Sequence, residues 1–118
     1  MTARPAPEPA QPEPVYALGA WRVKGGREAE FIRAWRTFTA WTAQHHAEAG
    51  EAWLLEDTER PGHFLSVSPW ESATALARWR AHSRFASFVA EAHALCEEVQ
   101  PHTLRLAARL HRPAADAP

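Results

Sequence analysis

Asparagine is absent from the 118 residues, and cysteine, lysine and tyrosine occur once each, as Cys96, Lys24 and Tyr16. Without Asn there is no N-glycosylation acceptor. A lone Cys can form neither an intrachain disulfide nor a Cys-rich zinc site, so the chain is expected in a reducing compartment, the cytoplasm. Positive charge is thinly spread: thirteen Lys and Arg, from Arg4 to Arg112, stand against fourteen Asp and Glu, a net charge of −1. No basic stripe able to displace counterions from a phosphate backbone results, which argues against nucleic acid as a partner. Long apolar runs are missing too, so no segment is expected to span a membrane. The opening MTARPAPEPAQPEP sets alternating Pro, Ala and Glu where a signal peptide needs a continuous apolar stretch.

What is present divides the chain in three. Residues 1–14 hold five of the ten prolines and no aliphatic residue larger than Ala. They have nothing to bury against the entropy of ordering, and a disordered arm is expected; 112–118 reads the same way. Residues 15–111 balance eleven charges of each sign and contain all six Trp and all five Phe. This is the expected folded domain. At about a hundred residues it buries only roughly two-thirds of its unfolded surface, so a second subunit would add stability.

Within the domain, VYALGAWRV (15–23) is β-branched and aromatic, with Tyr16, Leu18 and Ala20 on one face and Ala17, Gly19 and Trp21 on the other, a central strand. Lys24-Gly25-Gly26 breaks it. A long helix follows with Phe31, Ala34, Trp35, Phe38, Trp41, Thr42 and His45 on one stripe. AWLLEDTE (52–59) and HFLSVSPW (63–70) flank Arg60-Pro61-Gly62, which suits a type II turn and a hairpin. A second helix starts either at Ser68, with Pro69 in its first turn, or at Ser72. A break is expected near His82-Ser83. Residues 84–99 then align Phe85, Phe88, Val89, Ala92, Leu95, Cys96 and Val99 as a helix stopped by Pro101, and HTLRLAARL (102–110) alternates as a last strand. The order β-α-β-β-α-β predicts an α+β, ferredoxin-like fold: a four-stranded antiparallel sheet with helices on one face. Apolar residues on both faces of the first strand call for a cover on the second face, and a second copy of the sheet, a homodimer, is the economical one.

The segment LLEDTERPGHFLSVSPWESATALARWRAHSRF, with its PGHF turn, Trp70-Glu71-Ser72 and Trp79 followed by Phe85, resembles the antibiotic biosynthesis monooxygenase domain family of the dimeric α+β barrel group. The likeness reaches back to VKGGREAEF and forward to LCEEVQPHTLRL. It implies a barrel formed across a dimer and a substrate cavity between the helices and one sheet face. Members include cofactor-independent oxygenases and haem-degrading enzymes. The latter use a first-strand Asn, a Trp matched here by Trp79, and an axial His ten residues on. The His position falls on Val89, and Leu18 or Gly19 stands where the Asn would be. Haem degradation is therefore not expected unless the ligand has moved to His82 or His93. Other members carry a His where this chain has Arg84.

Candidate site residues follow. Trp35 and Phe38 on the first long helix, with Trp79 and Phe85 across from them, fit a packed core; so many aromatics in one thin layer also fit the wall of a cleft for a planar apolar ligand. Cofactor-free oxygen chemistry needs a base, a donor for the resulting oxyanion and a dry cavity. His82 and His93 are the candidate bases, aligned three turns apart only if one helix carries both, and otherwise ordinary flank residues. Tyr16 is a candidate donor or a core residue. Neighbouring His45 and His46 point about 100° apart on a helix and make a poor metal pair, so neither metal nor cofactor is expected. His63 and His102 are expected at the surface. Arg22, Arg105 and Arg109 could orient an anion or serve as edge charges, and Cys96 reads as a small buried hydrophobe. The leading expectation is a cofactor-independent monooxygenase acting on an aromatic or polyketide-like small molecule. The alternative is a non-catalytic small-molecule binder of the same fold.

Overall fold

Val15–Val23 forms β1, flanked on both sides, in a computed structural model that describes residues 14–113. Except for Pro14, the expected N-terminal arm lies outside the described residues, as does 114–118 of the tail. After β1 come α1 (Glu28–His45), β2 (Trp53–Glu56), β3 (His63–Trp70), α2 (Ala73–Arg80), α3 (Ser83–Leu95) and β4 (Cys96–Arg105). The strands pair antiparallel in the order β2-β3-β1-β4. This is the split-βαβ, ferredoxin-like sheet that the element order predicts.

Pairing follows the alternation of β1. Ala17, Trp21 and Val23 are buried on the side covered by helices, while Tyr16, Leu18 and Ala20 remain half-exposed on the other. On the helix side, Phe31 of α1, Phe64 of β3 and Phe88 of α3 join Trp21 in one cluster, with Trp21 and Phe31 centroids 5.3 Å apart. A second cluster packs Trp70 against Ala17, Ala75 and Leu76. The hairpin turns at Arg60–His63, closed by a 3.1 Å bond from the His63 N–H to the Arg60 carbonyl, and Gly62 takes the positive φ of 84° that its second central position requires.

One boundary left open by the sequence is decided, and two others differ from expectation. Ser72, not Ser68, caps α2: its hydroxyl accepts the Ala75 N–H at 3.1 Å, and Pro69 lies within β3 opposite Tyr16. Helix α3 ends at Leu95, so Cys96, Val99 and Pro101 belong to β4. The apolar spacing at 92, 95, 96 and 99 imitates a helix because the register slips between Arg22 and Val23, whose partners are Glu98 and Cys96. That bulge inserts Glu97 as an extra residue and returns Cys96 and Val99 to the same face, where simple alternation would separate them. Pro101, which has no N–H to donate, is accommodated because β4 is an edge strand. Finally, β4 stops at Arg105 and not at 110, since its partner β1 begins at Val15, directly opposite Arg105.

The uncovered face of the sheet exposes Trp53, Leu55, Leu65 and Leu104 by 45–53% each. Leu65 sits between Leu55 of β2 and Ala20 of β1, near the middle of that face. None of the helices in the described residues is long and apolar enough to cross a membrane.

Candidate functional site

Between the helices and the inner face of the sheet lies a cavity of about 500 Å3, within the usual range for small-molecule sites. Its floor exists because of Gly19: a Cβ there would come within 2.7 Å of both the Trp21 indole and the Ser66 hydroxyl. With no side chain in the way, the indole of Trp21 lies over the strand and donates to Ser66 Oγ at 2.9 Å.

Trp35, Phe38, Trp79 and Phe85 all line this cavity, so the fold brings the four together. Phe38 is 2% exposed and is the hub. Its ring centroid is 4.4 Å from Phe88 in a stacked arrangement, 5.4 Å from Trp79 and 5.9 Å from Phe85, and the Arg84 guanidinium covers it at 5.6 Å. Trp79 is held on the other side by Trp70, 4.9 Å away. Two more indole N–H groups end on hydroxyls: Trp79 Nε1 donates to Thr42 Oγ1 at 3.0 Å, and Trp70 Nε1 to Ser68 Oγ at 3.3 Å. Thr42 in turn donates to the Phe38 carbonyl at 3.0 Å. The walls are thus tied by hydrogen bonds as well as packing, which leaves a preorganised apolar slot.

The three catalytic candidates are not gathered in one place. His93 lines the cavity from α3 with an exposed ring. His82 does not line it, because the chain breaks between α2 and α3: His82 caps α3, its Nδ1 accepting the Arg84 N–H at 2.9 Å, and its ring rests 4.7 Å from Trp41. Its alignment with His93, which requires one continuous helix, is lost. Tyr16 sits on the opposite face of the sheet, paired with Pro69 and Leu104, and is absent from the cavity lining. Val89, the position of the axial His in haem-degrading relatives, lines the cavity with a side chain that can ligate nothing.

Beside Trp41 a second imidazole is of interest. His46 packs on Trp70 and faces His82, His45, Glu48 and Arg78; burial pushes its imidazole below the usual value, against the opposing pull of Glu48. As pH falls through the unfolded value, about 6.5, the unfolded chain takes up this proton first and stability is lost. Thermal melts should therefore show a lower midpoint at pH 5.5 than at 7.5, and His46→Gln should flatten that difference. An unchanged pH dependence in the variant would remove His46 as its source. Among the described residues, no group of three His, Cys, Asp or Glu could hold a metal ion. Cys96 is buried, and loss of solvation pushes its thiol up to about 11, which keeps it protonated and unreactive at neutral pH.

Arg80, adjacent to Trp79 in sequence, escaped the sequence reading. It also lines the cavity, where its Nη2 donates to the His102 carbonyl at 2.9 Å and its Nη1 to Thr103 Oγ1. Arg80 stands four residues from buried Leu76, on the flank of the α2 stripe, and the pairing of β4 with β1 brings the His102 carbonyl and Thr103 within its reach. Arg22 pairs instead with Glu97 and Glu98 at 3.6 and 3.5 Å, well exposed, and does not line the cavity; neither do Arg105 and Arg109.

Comparison with known proteins agrees with this architecture. SnoaB of Streptomyces nogalater, a cofactor-independent oxygenase, superposes in a variant form with a TM-score of 0.76 at 18% identity, covering 85% of this chain and 99% of that one. The Pseudomonas aeruginosa protein PA3566 gives 0.71 at 20% identity, over 85% of this chain and all of the other. A conserved Methanosarcina mazei protein gives 0.72 at 13% identity, over 79% and 92%. No curated protein matches the chain in sequence. The model of the antibiotic biosynthesis monooxygenase family matches residues 14–91, spanning β1 through most of α3 and so every aromatic wall of the cavity, and the chain belongs to that family.

Proposed function

We propose that the protein is a cofactor-independent monooxygenase acting on a planar aromatic or polyketide-like molecule held in the cavity. The observation that carries the reading is the slot of about 500 Å3 walled by Trp35, Phe38, Trp79 and Phe85. SnoaB, which shares the fold, is a cofactor-independent oxygenase. An electron-rich substrate of this kind reduces oxygen itself once deprotonated. One oxygen atom becomes a ring carbonyl in place of a CH2 group and the other leaves as water, so the substrate supplies all four electrons. The protein contributes a base, for which His93 is the cavity-lining imidazole, and walls that exclude bulk water.

The active unit in this proposal is a homodimer joined through the uncovered sheet faces, where Trp53, Leu55, Leu65 and Leu104 need a cover. Tyr16 then serves that interface. The reducing cytoplasm is its proposed location.

Oxygen uptake with an anthrone or naphthol substrate, measured above the enzyme-free rate, tests the activity. Trp79→Ala should lower it by about tenfold or more, because positioning of the reacting ring is lost. Uptake indifferent to Trp79 would overturn the site. Binding without uptake would favour the alternative, a non-catalytic binder. A haem titration that yields no Soret shift would dispose of ligation by His82 or His93.

A further inference from the structure

We propose that the molecule bound in the cavity carries an anionic oxygen, a ring carboxylate or an acidic enol, and that Arg80 is the residue that selects it. The inference rests on the cavity as the binding site and adds the charge of its ligand. It comes from a half-buried cation with no counter-ion: of the other arginines with no carboxylate within 4.0 Å among the described residues, Arg33, Arg36, Arg105 and Arg109 are exposed and Arg84 lies over the Phe38 ring. Arg22, Arg27, Arg60 and Arg78 each have a carboxylate within 4.0 Å, although their side chains are 44–69% exposed and solvent already screens them. Arg80 is more buried than these and loses solvation strongly enough to lower its pKa, yet among the described residues no carboxylate pairs with it. The cavity's own carboxylate, Glu51, enters just before β2, whereas Arg80 is bound to β4; β2 and β4 are opposite edges of the sheet.

The guanidinium is also held ready. Its contacts with the His102 carbonyl and Thr103 Oγ1 fix the plane of the fork from one side and use one N–H on each terminal nitrogen. One N–H on each remains, and Nε has no acceptor among the described residues. A cation immobilised in this way, in the same cavity lining as Trp79 and without a carboxylate partner among the described residues, is suited to an oxyanion on a ring packed against the aromatic wall, since little side-chain freedom remains to be lost on binding.

Calorimetric titration of the whole protein with 3-hydroxy-2-naphthoate and with its primary amide separates charge from shape. The acid should bind about tenfold tighter than the amide, as a charge-assisted hydrogen bond requires. Arg80→Gln should bring the two within about twofold, with an unchanged far-ultraviolet circular dichroism spectrum and melting midpoint reporting that the variant is folded; Arg80→Lys should restore part of the gap. Equal affinities in the unmodified protein, or a gap that survives Arg80→Gln, would overturn the assignment. A gap lost in Arg36→Gln but kept in Arg80→Gln would move it to the other cavity-lining arginine. If neither compound binds, the aromatic-ligand reading of the cavity falls, and this inference with it; if both bind equally, the cavity stands and only the anion is lost.

Discussion

Phe38→Ala should lower the free energy of unfolding by about 3–5 kcal/mol, the range for emptying a buried aromatic site. Few single substitutions in this chain should do more damage. Phe38 is 2% exposed and touches Trp41, Trp79, Phe85 and Phe88, so its removal leaves a hole that four rings from three helices would have to fill. Those rings cannot readily collapse into it, because Trp79 is tethered to Thr42, whose own hydroxyl is bonded to the Phe38 carbonyl. The total stability of a domain is only about 5–15 kcal/mol. The melting midpoint should drop on the order of 15–30 °C. Urea melts check the value, with Phe38→Leu as a partner variant that keeps most of the volume and should cost less than half as much. A loss under about 1 kcal/mol for the alanine would mean that the aromatic cluster is not a rigid wall.

Leu65→Asp should weaken self-association by at least about 2 kcal/mol, some thirtyfold in Kd. Leu65 is 46% exposed in the single chain and lies between Leu55 and Ala20, at the middle of the face proposed to meet a second copy. A carboxylate there would have to be desolvated with no cation opposite it, a cost that grows with the quality of the packing around it. Light scattering should give twice the 13.2 kDa chain mass for the unmodified protein at micromolar concentration and a shift toward the single chain for the variant. An unmodified protein that runs as a monomer would defeat the sheet-to-sheet dimer. A variant that stays dimeric would place the interface elsewhere.

Much of the fold was legible in the order of residues because each signal was local. The alternation of 15–23, the 3.6-residue stripe of 31–42 and the Pro61-Gly62 turn each state a backbone preference that the neighbours do not contradict, and β1, α1 and the hairpin fall where those patterns put them. The four aromatic positions were legible for the same reason, together with the family resemblance carried by Trp70-Glu71-Ser72 and Trp79. Position 96 shows the limit. Ala92, Leu95, Cys96 and Val99 satisfy a helix by spacing alone, and nothing in the segment announces a bulge. Only β1, by offering its free edge to residues 96–105, makes the extended form the one in which those backbone groups are paired.

The chemistry was less legible, because it depends on where separate segments come to rest. Tyr16 and Gly19 are three residues apart, yet the pleat sends one to the open face and leaves the other under the cavity; the sequence contains that alternation but not which face the helices would cover. His82 and His93 depended on a single helix boundary, and the cap that His82 makes for α3 sends it away from the site. Arg80 depended on the pairing of β4 with β1, which brings its partners His102 and Thr103 to it from more than twenty residues along the chain. By itself, then, the sequence determined the element order, the aromatic inventory and the family, since these follow from short-range periodicity and from motifs. The tertiary structure alone decided which histidine reaches the cavity and that a guanidinium with no carboxylate partner among the described residues lines it, because burial and charge pairing are properties of assembled surfaces and not of neighbours in the chain.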